Sequence, residues 1–166
     1  MTRLRALAPD LTACAVLVML WLVFFWRLFT PTLADQASLK QGDFSAQFVA
    51  FGGYQYARMS QGEVPLWNPY NNGVMPFIAD TQAAVFYPPR LLTIALANIT
   101  GTGWTYHALE LEMTFNVLLY TLLLYVLIRR MTGDRFAGVI AAVVGGYGGY
   151  ISGYPPLQLA LLEAGI

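Results

Sequence analysis

Asp43 is the residue of this chain best suited to work as a general base. It stands after Gly42, with Gln47 about one helical turn further on. Downstream in the same polar, aromatic stretch come Pro65-Leu66-Trp67-Asn68-Pro69, then Gly73 and Pro76, then Asp80, Gln82 and Phe86-Tyr87-Pro88. A carboxylate can take the proton of an attacking hydroxyl. Gln47, Asn68, Asp80 and Gln82 offer polar groups that bind sugar or phosphate, and Arg58 and Arg90 offer guanidinium groups that pair with a lipid phosphate. Each also has a plain reading. Asp is a preferred helix N-cap, Asn and Gln commonly close loops, and arginines near a membrane snorkel to its surface.

The same residues say little for a metal. Asp43 is followed by Phe44 and Ser45, so no Asp-x-Asp pair forms, and Asp80 is the nearest second carboxylate. Two isolated carboxylates are a poor cage for a hard divalent cation. No metal site is expected from this chain alone, and a divalent cation would need ligands from outside it. His107 is a lone imidazole, read as an interfacial side chain, and Cys14 is a lone thiol in an apolar run, read as inert packing.

The elements that must position this chemistry are set by composition. The chain has 166 residues, 57% of them hydrophobic and only 11% charged, against roughly 25% charged in an ordinary soluble domain. That balance predicts an all-α membrane protein. Lys and Arg number nine, as do Asp and Glu, so no global field favours nucleic acid as a partner.

Residues 11–29 read as a first membrane span, too long for a signal-peptide core and followed by Trp26-Arg27-Leu28-Phe29 in place of a small-residue cleavage site. Arg3 and Arg5 precede it, which predicts a cytoplasmic amino terminus. Trp21 and Trp26 fit an aromatic belt, with Arg27 snorkelling. A second span is expected over 109–128. Its end is marked by Arg129-Arg130 and Asp134-Arg135 in a cytoplasmic loop over 129–136. Glu110 and Glu112 would then sit at the outer mouth or face protein, solvation at the interface being the plain reading. A third span is expected over 137–152, with Gly145, Gly149 and Gly153 on one face for close helix packing.

Residues 30–108 form the large first extracytoplasmic loop. Phe44, Phe48 and Phe51 recur at helical spacing and predict an interfacial helix over about 43–60, preceded by a capping-box pattern from Ser38 to Gln41 and weakened by Gly52-Gly53. Pro65, Pro69, Pro76 and Pro88-Pro89 restrict the middle to turns, and 90–99 predicts a second juxtamembrane helix. Residues 153–166 read as an incomplete start of the next loop or helix, which predicts that the chain is the amino-terminal part of a longer protein or a small subunit packed by other membrane helices.

The ordered series Gly42-Asp43 with Gln47, Gly62-x-x-Pro65-Leu66-Trp67-Asn68-Pro69, Gly73-x-x-Pro76 and Gln82-x-x-x-Phe86-Tyr87-Pro88 resembles the outer loop of YfhO-like bacterial membrane proteins, regarded as GT-C superfamily glycosyltransferases. The resemblance runs over roughly 11–163, and Tyr150 to Pro156 is similar to the family's next loop. Members are much longer, with many more helices. The resemblance implies a multi-pass protein of the bacterial cytoplasmic membrane and a polyprenyl-phosphate-linked sugar as donor. It also implies an acidic residue of the first outer loop acting on the acceptor, a position that Asp43 matches. The alternative is a non-catalytic small membrane subunit or assembly factor. A transporter or channel ranks last, because the spans hold no series of ion ligands.

Overall fold

The computed structural model describes residues 2–38, 42–71 and 73–149, with side chains from Ala8 onward. Six α-helices carry the fold. Helix α1 (Thr2–Phe24) ends where Phe25 leaves helical geometry, and a single turn, α2 (Trp26–Phe29), follows. A π-helical turn over Phe44–Phe48 runs into α3 (Val49–Met59). Then come α4 (Pro88–Thr100), α5 (Tyr106–Thr132) and α6 (Arg135–Tyr147). Among the described residues there is no strand, only an isolated antiparallel bridge between Asn68 and Met75. The all-α class is as expected.

Local chemistry explains the boundaries. Pro88 and Pro89 open α4, where a missing N–H costs nothing, and Gly101 closes it at φ 69°. Thr105 caps α5 by accepting from the Ala108 amide at 3.1 Å. Gly133, at φ 73°, ends α5, and Asp134 starts α6 by accepting from the Phe136 amide at 2.9 Å. The result is a tight α5–α6 hairpin.

Helix α5, 27 residues and so about 40 Å long at ~1.5 Å per residue, is the axis on which the rest packs. It meets α6 most extensively, and also α1, α3 and α4. At one end, Phe44 and Phe48 bury against Leu109, Met113 and Val117. At the other, Ala13 and Leu17 of α1 meet Tyr125 and Ala142. Asp10 clamps that end: its carboxylate accepts from Tyr125 Oη at 2.7 Å, Arg135 Nε at 3.0 Å and Arg129 Nε at 3.2 Å.

Several expectations are corrected here. Among the described residues one helix, Tyr106–Thr132, is both long and apolar enough to cross a membrane, Ala8–Phe24 and Arg135–Tyr147 are shorter apolar helices, and the end of the third expected span, 150–152, lies outside the described residues. The break at Phe25 divides the first apolar run. The aromatic face of the 43–60 helix is not displayed outward, since Phe44, Phe48 and Phe51 are all buried within the protein. Gly52 and Gly53 do not interrupt α3 but make room for the Trp104 indole, which a Cβ at Gly52 would strike. Glu110 and Glu112 are both buried, at 3% exposure, and not solvated at an interface.

The glycine face is shifted as well. Gly138, Ala142 and Gly146 recur every four residues, are buried, and face Tyr125 and Thr121 of α5. Gly145 also packs closely, against Leu124 and Tyr120, whereas a Cβ at Gly149 would meet no described residue within 4 Å. Gly153 and the rest of 150–166 lie outside the described residues, as do Lys40 and Gln41 of the capping-box pattern.

Candidate functional site

The helical turn and α3 present Asp43, Gln47, Ala50 and Tyr54 along one stripe, at spacings of four, three and four residues. Opposite this stripe lies the loop of 64–87, held to α3 by a small core of its own. Phe51, Phe77, Ala83 and Val85 form that core, with the Phe77 ring 5.2 Å from Phe51 and 5.1 Å from Tyr54, both edge-on. Tyr54 Oη also donates to the Trp67 carbonyl. Between stripe and loop is a polar cleft of about 560 Å³.

Five of the residues singled out in the sequence line this one cleft: Asp43, Gln47, Asn68, Asp80 and Gln82. Four of them also build its walls. Asn68 and Met75 exchange backbone hydrogen bonds at 2.8 and 3.0 Å, and Asn68 Oδ1 accepts from the Tyr70 amide at 2.9 Å. Asp80 Oδ1 accepts from the Gln82 amide at 2.8 Å. Gln47 Nε2 donates to Gln82 Oε1 at 2.8 Å, which ties the helix to the loop across the cleft.

Asp43 differs from these. It stands at the start of the π-helical turn with right-handed helical dihedrals, and its side chain makes no capping hydrogen bond. An N-cap residue normally has extended dihedrals and accepts from an amide two or three residues on, so the capping explanation of Asp43 fails on geometry. Its exposed carboxylate lies in the cleft with no structural task among the described residues. Val74, next in sequence to the cleft-lining Met75, holds φ 110°, a costly conformation for a β-branched residue of the kind that clusters at functional sites. Pro65 is buried, whereas Trp67 is exposed on the loop surface.

Arg58 and Arg90 are not in the cleft. Arg58 pairs with Glu63 at the end of α3. Arg90 is 2% exposed, its Nε 2.7 Å from Glu112 Oε1, with Gln55 Oε1 3.5 Å from its Nη1 and the Trp104 ring centroid 5.9 Å away. Gln55 Nε2 donates in turn to the Val85 carbonyl at 2.9 Å, so the buried pair braces α3, α4 and α5 together. His107 Nδ1 lies 3.2 Å from Glu110 Oε2, and Ser38 Oγ donates to Glu110 Oε1 at 2.7 Å. Glu110 thereby fastens the start of the loop to α5.

Tyr54 and Tyr70 line the cleft and were not singled out in the sequence. For Tyr54 the signal was its place in the series that begins at Asp43. Nothing local marked Tyr70, whose place depends on the Asn68–Met75 turn.

The chemistry of the cleft is one-sided. It has two carboxylates, several amides and two tyrosines, but no Lys or Arg among its described lining residues. Such a surface suits a neutral hydroxylated molecule more than a phosphate. Among the described residues no three His, Cys, Asp or Glu side chains converge in a way that could hold a metal ion. Compared with protein-family models, curated proteins and solved structures, the chain matches none.

Proposed function

We propose that this chain is the amino-terminal portion of a membrane-embedded glycosyltransferase, similar to the YfhO-like members of the GT-C superfamily, and that Asp43 is its general base. The reading rests on one observation: Asp43 lies uncapped in a polar cleft with Gln47, Asn68, Asp80 and Gln82, brought there from separated parts of the loop. In the reaction, the acceptor hydroxyl gives its proton to the Asp43 carboxylate as its oxygen bonds to the sugar's anomeric carbon. The bond from that carbon to the donor phosphate breaks, and the phosphate leaves with the electron pair. The cleft supplies the acceptor half of this chemistry. The cation that meets the leaving phosphate comes from outside it, since Arg58 and Arg90 are committed to Glu63 and Glu112.

A bacterial cytoplasmic membrane with the amino terminus inside is part of the proposal. It is supported by Asp10, whose bonds to Arg129 and Arg135 hold the start of α1 beside the basic end of α5, as the positive-inside rule requires of one cytoplasmic face. Membrane lipid would cover the exposed apolar side chains of α1, α5 and α6, among them Val23, Leu127 and Val144. The same surfaces favour, as a second reading, a non-catalytic subunit packed by other membrane helices.

Substitution Asp43→Asn in the intact enzyme is the test. Sugar transfer from polyprenyl-phosphate donors should fall by roughly 10² to 10⁴, the usual contribution of a positioned base, with expression and unfolding temperature unchanged. Full retained activity would remove Asp43 from the mechanism. Stoichiometric co-purification with other subunits, and no transfer activity from the assembled complex, would establish the second reading.

A further inference from the structure

Away from the polar cleft, a second cavity of about 400 Å³ opens between α4 and α5. Its walls are apolar, from Leu92, Leu96, Ala97, Ala108, Leu111 and Phe115, and Glu112 also lines it. The Glu112 side chain is 1% exposed. Its Oε1 takes the Arg90 guanidinium, while Oε2 is buried with no hydrogen-bond partner among the described residues. A buried carboxylate oxygen that accepts nothing is costly, and such groups are rare in folded proteins. Here it meets an apolar groove of ligand size.

We propose that this groove binds a neutral apolar alcohol, a chain of roughly a dozen non-hydrogen atoms at about 30 Å³ each, whose hydroxyl donates to Glu112 Oε2. Charge decides the head group. Arg90 and Glu112 already neutralise each other across 2.7 Å, so an ammonium would leave a buried net positive charge and a phosphate a buried net negative one, the latter repelled by Oε2. A hydroxyl satisfies the oxygen and adds no charge. Thr93 and Thr100 also line the groove; the Thr93 hydroxyl lies beside the Glu112 carboxylate, but its proton is directed to the Pro89 carbonyl at 3.0 Å, and Thr100 donates to the Leu96 carbonyl at 2.7 Å, so the donor place at Oε2 stays open to a ligand. The site is separate from the Asp43 cleft and does not depend on the glycosyltransferase reading.

The experiment uses the full chain in lipid nanodiscs, with tritiated 1-dodecanol as probe and unlabelled dodecane, dodecylamine and dodecyl phosphate as competitors. Saturable binding of dodecanol is expected, with each competitor at least tenfold weaker, the fold-change appropriate to a hydrogen bond to a charged group. Ala108→Phe, which fills the groove one helical turn from Glu112 and removes neither charge, should abolish binding while leaving the helical circular dichroism intact. Equal competition by dodecane would mean simple partition into an apolar surface, and preference for dodecyl phosphate would mean an anionic lipid site. Either result overturns the proposal on the wild-type chain alone, as does unchanged binding to folded Ala108→Phe.

Discussion

Replacing Glu112 by Leu should be the most destabilising single change in the half of the bundle that carries α3 and α4. The substitution keeps the volume roughly constant and removes the carboxylate bonded to the buried Arg90 head group at 2.7 Å. Gln55 Oε1 at 3.5 Å and the Trp104 face at 5.9 Å also approach that guanidinium. The first is at the limit of a hydrogen bond, and the second is worth up to about 2 kcal/mol when desolvated. Neither replaces a buried counter-ion, so the loss should be about 3–5 kcal/mol, the range for breaking a buried pair. In a chain of this size that lowers the unfolding midpoint by roughly 6–20 °C, at ~2–4 °C per kcal/mol. Removing both charges, as Arg90→Met with Glu112→Leu, should restore all but about 1 kcal/mol, because the desolvation cost of each ion then disappears too. The assay is the unfolding midpoint of the monodisperse, detergent-solubilised chain for wild type, single and double variants. A single variant within about 1 kcal/mol of wild type, or a double variant as unstable as the single, would refute the idea that an uncompensated charge drives the loss.

Gly146→Leu should cost about 1–3 kcal/mol by overpacking, since even a Cβ there meets Thr121 Oγ1, whereas Gly149→Ala should stay within about 0.5 kcal/mol, no atom lying within 4 Å; thermal unfolding checks both. The same contrast is expected one residue apart in α3, where Gly52→Ala forces the Trp104 indole aside and Gly53→Ala meets it at an ordinary 3.4 Å, so only the first should shift the tryptophan emission and lower the midpoint. The hydrogen bond from Tyr125, then that from Arg135, holds Asp10, just ahead of the first apolar segment, down at a pKa of about 2 from 3.8. A depressed carboxyl stabilises the fold above its unfolded pKa and loses that contribution as pH falls through its folded one. The unfolding midpoint should therefore decline between about pH 4 and pH 2, and Asp10→Asn should flatten that decline; an unchanged profile would exclude Asp10 as its source.

Much of the architecture was legible in the chain because helices are written in local patterns. The 44, 48, 51 aromatic spacing, the Pro88-Pro89 start of α4, and the Gly133-Asp134 stop and start between α5 and α6 each act within a turn or two. The residues that line the cleft stood out as carboxylates and amides crowded into a proline-rich loop, and Asn68 and Asp80 also serve the plainer purpose of closing turns there. Sequence alone thus determined an all-α chain, the place of its long apolar helix and the residues from which a cleft could be made.

The tertiary structure decided what no local pattern contains. It joined Asp43, Gln47, Asn68, Asp80 and Gln82 across one cleft, because Phe77 and Val85 fold the loop back onto Phe51. It took Arg90 away from that cleft and buried it against Glu112 across 22 residues of sequence. It moved the packing glycines from Gly149 to Gly138 and Gly146, since the face that meets α5 is set by the hairpin's geometry and not by the repeat itself. Pairing of buried charges and the choice of packing face depend on which surfaces meet, and that information is carried by the fold as a whole.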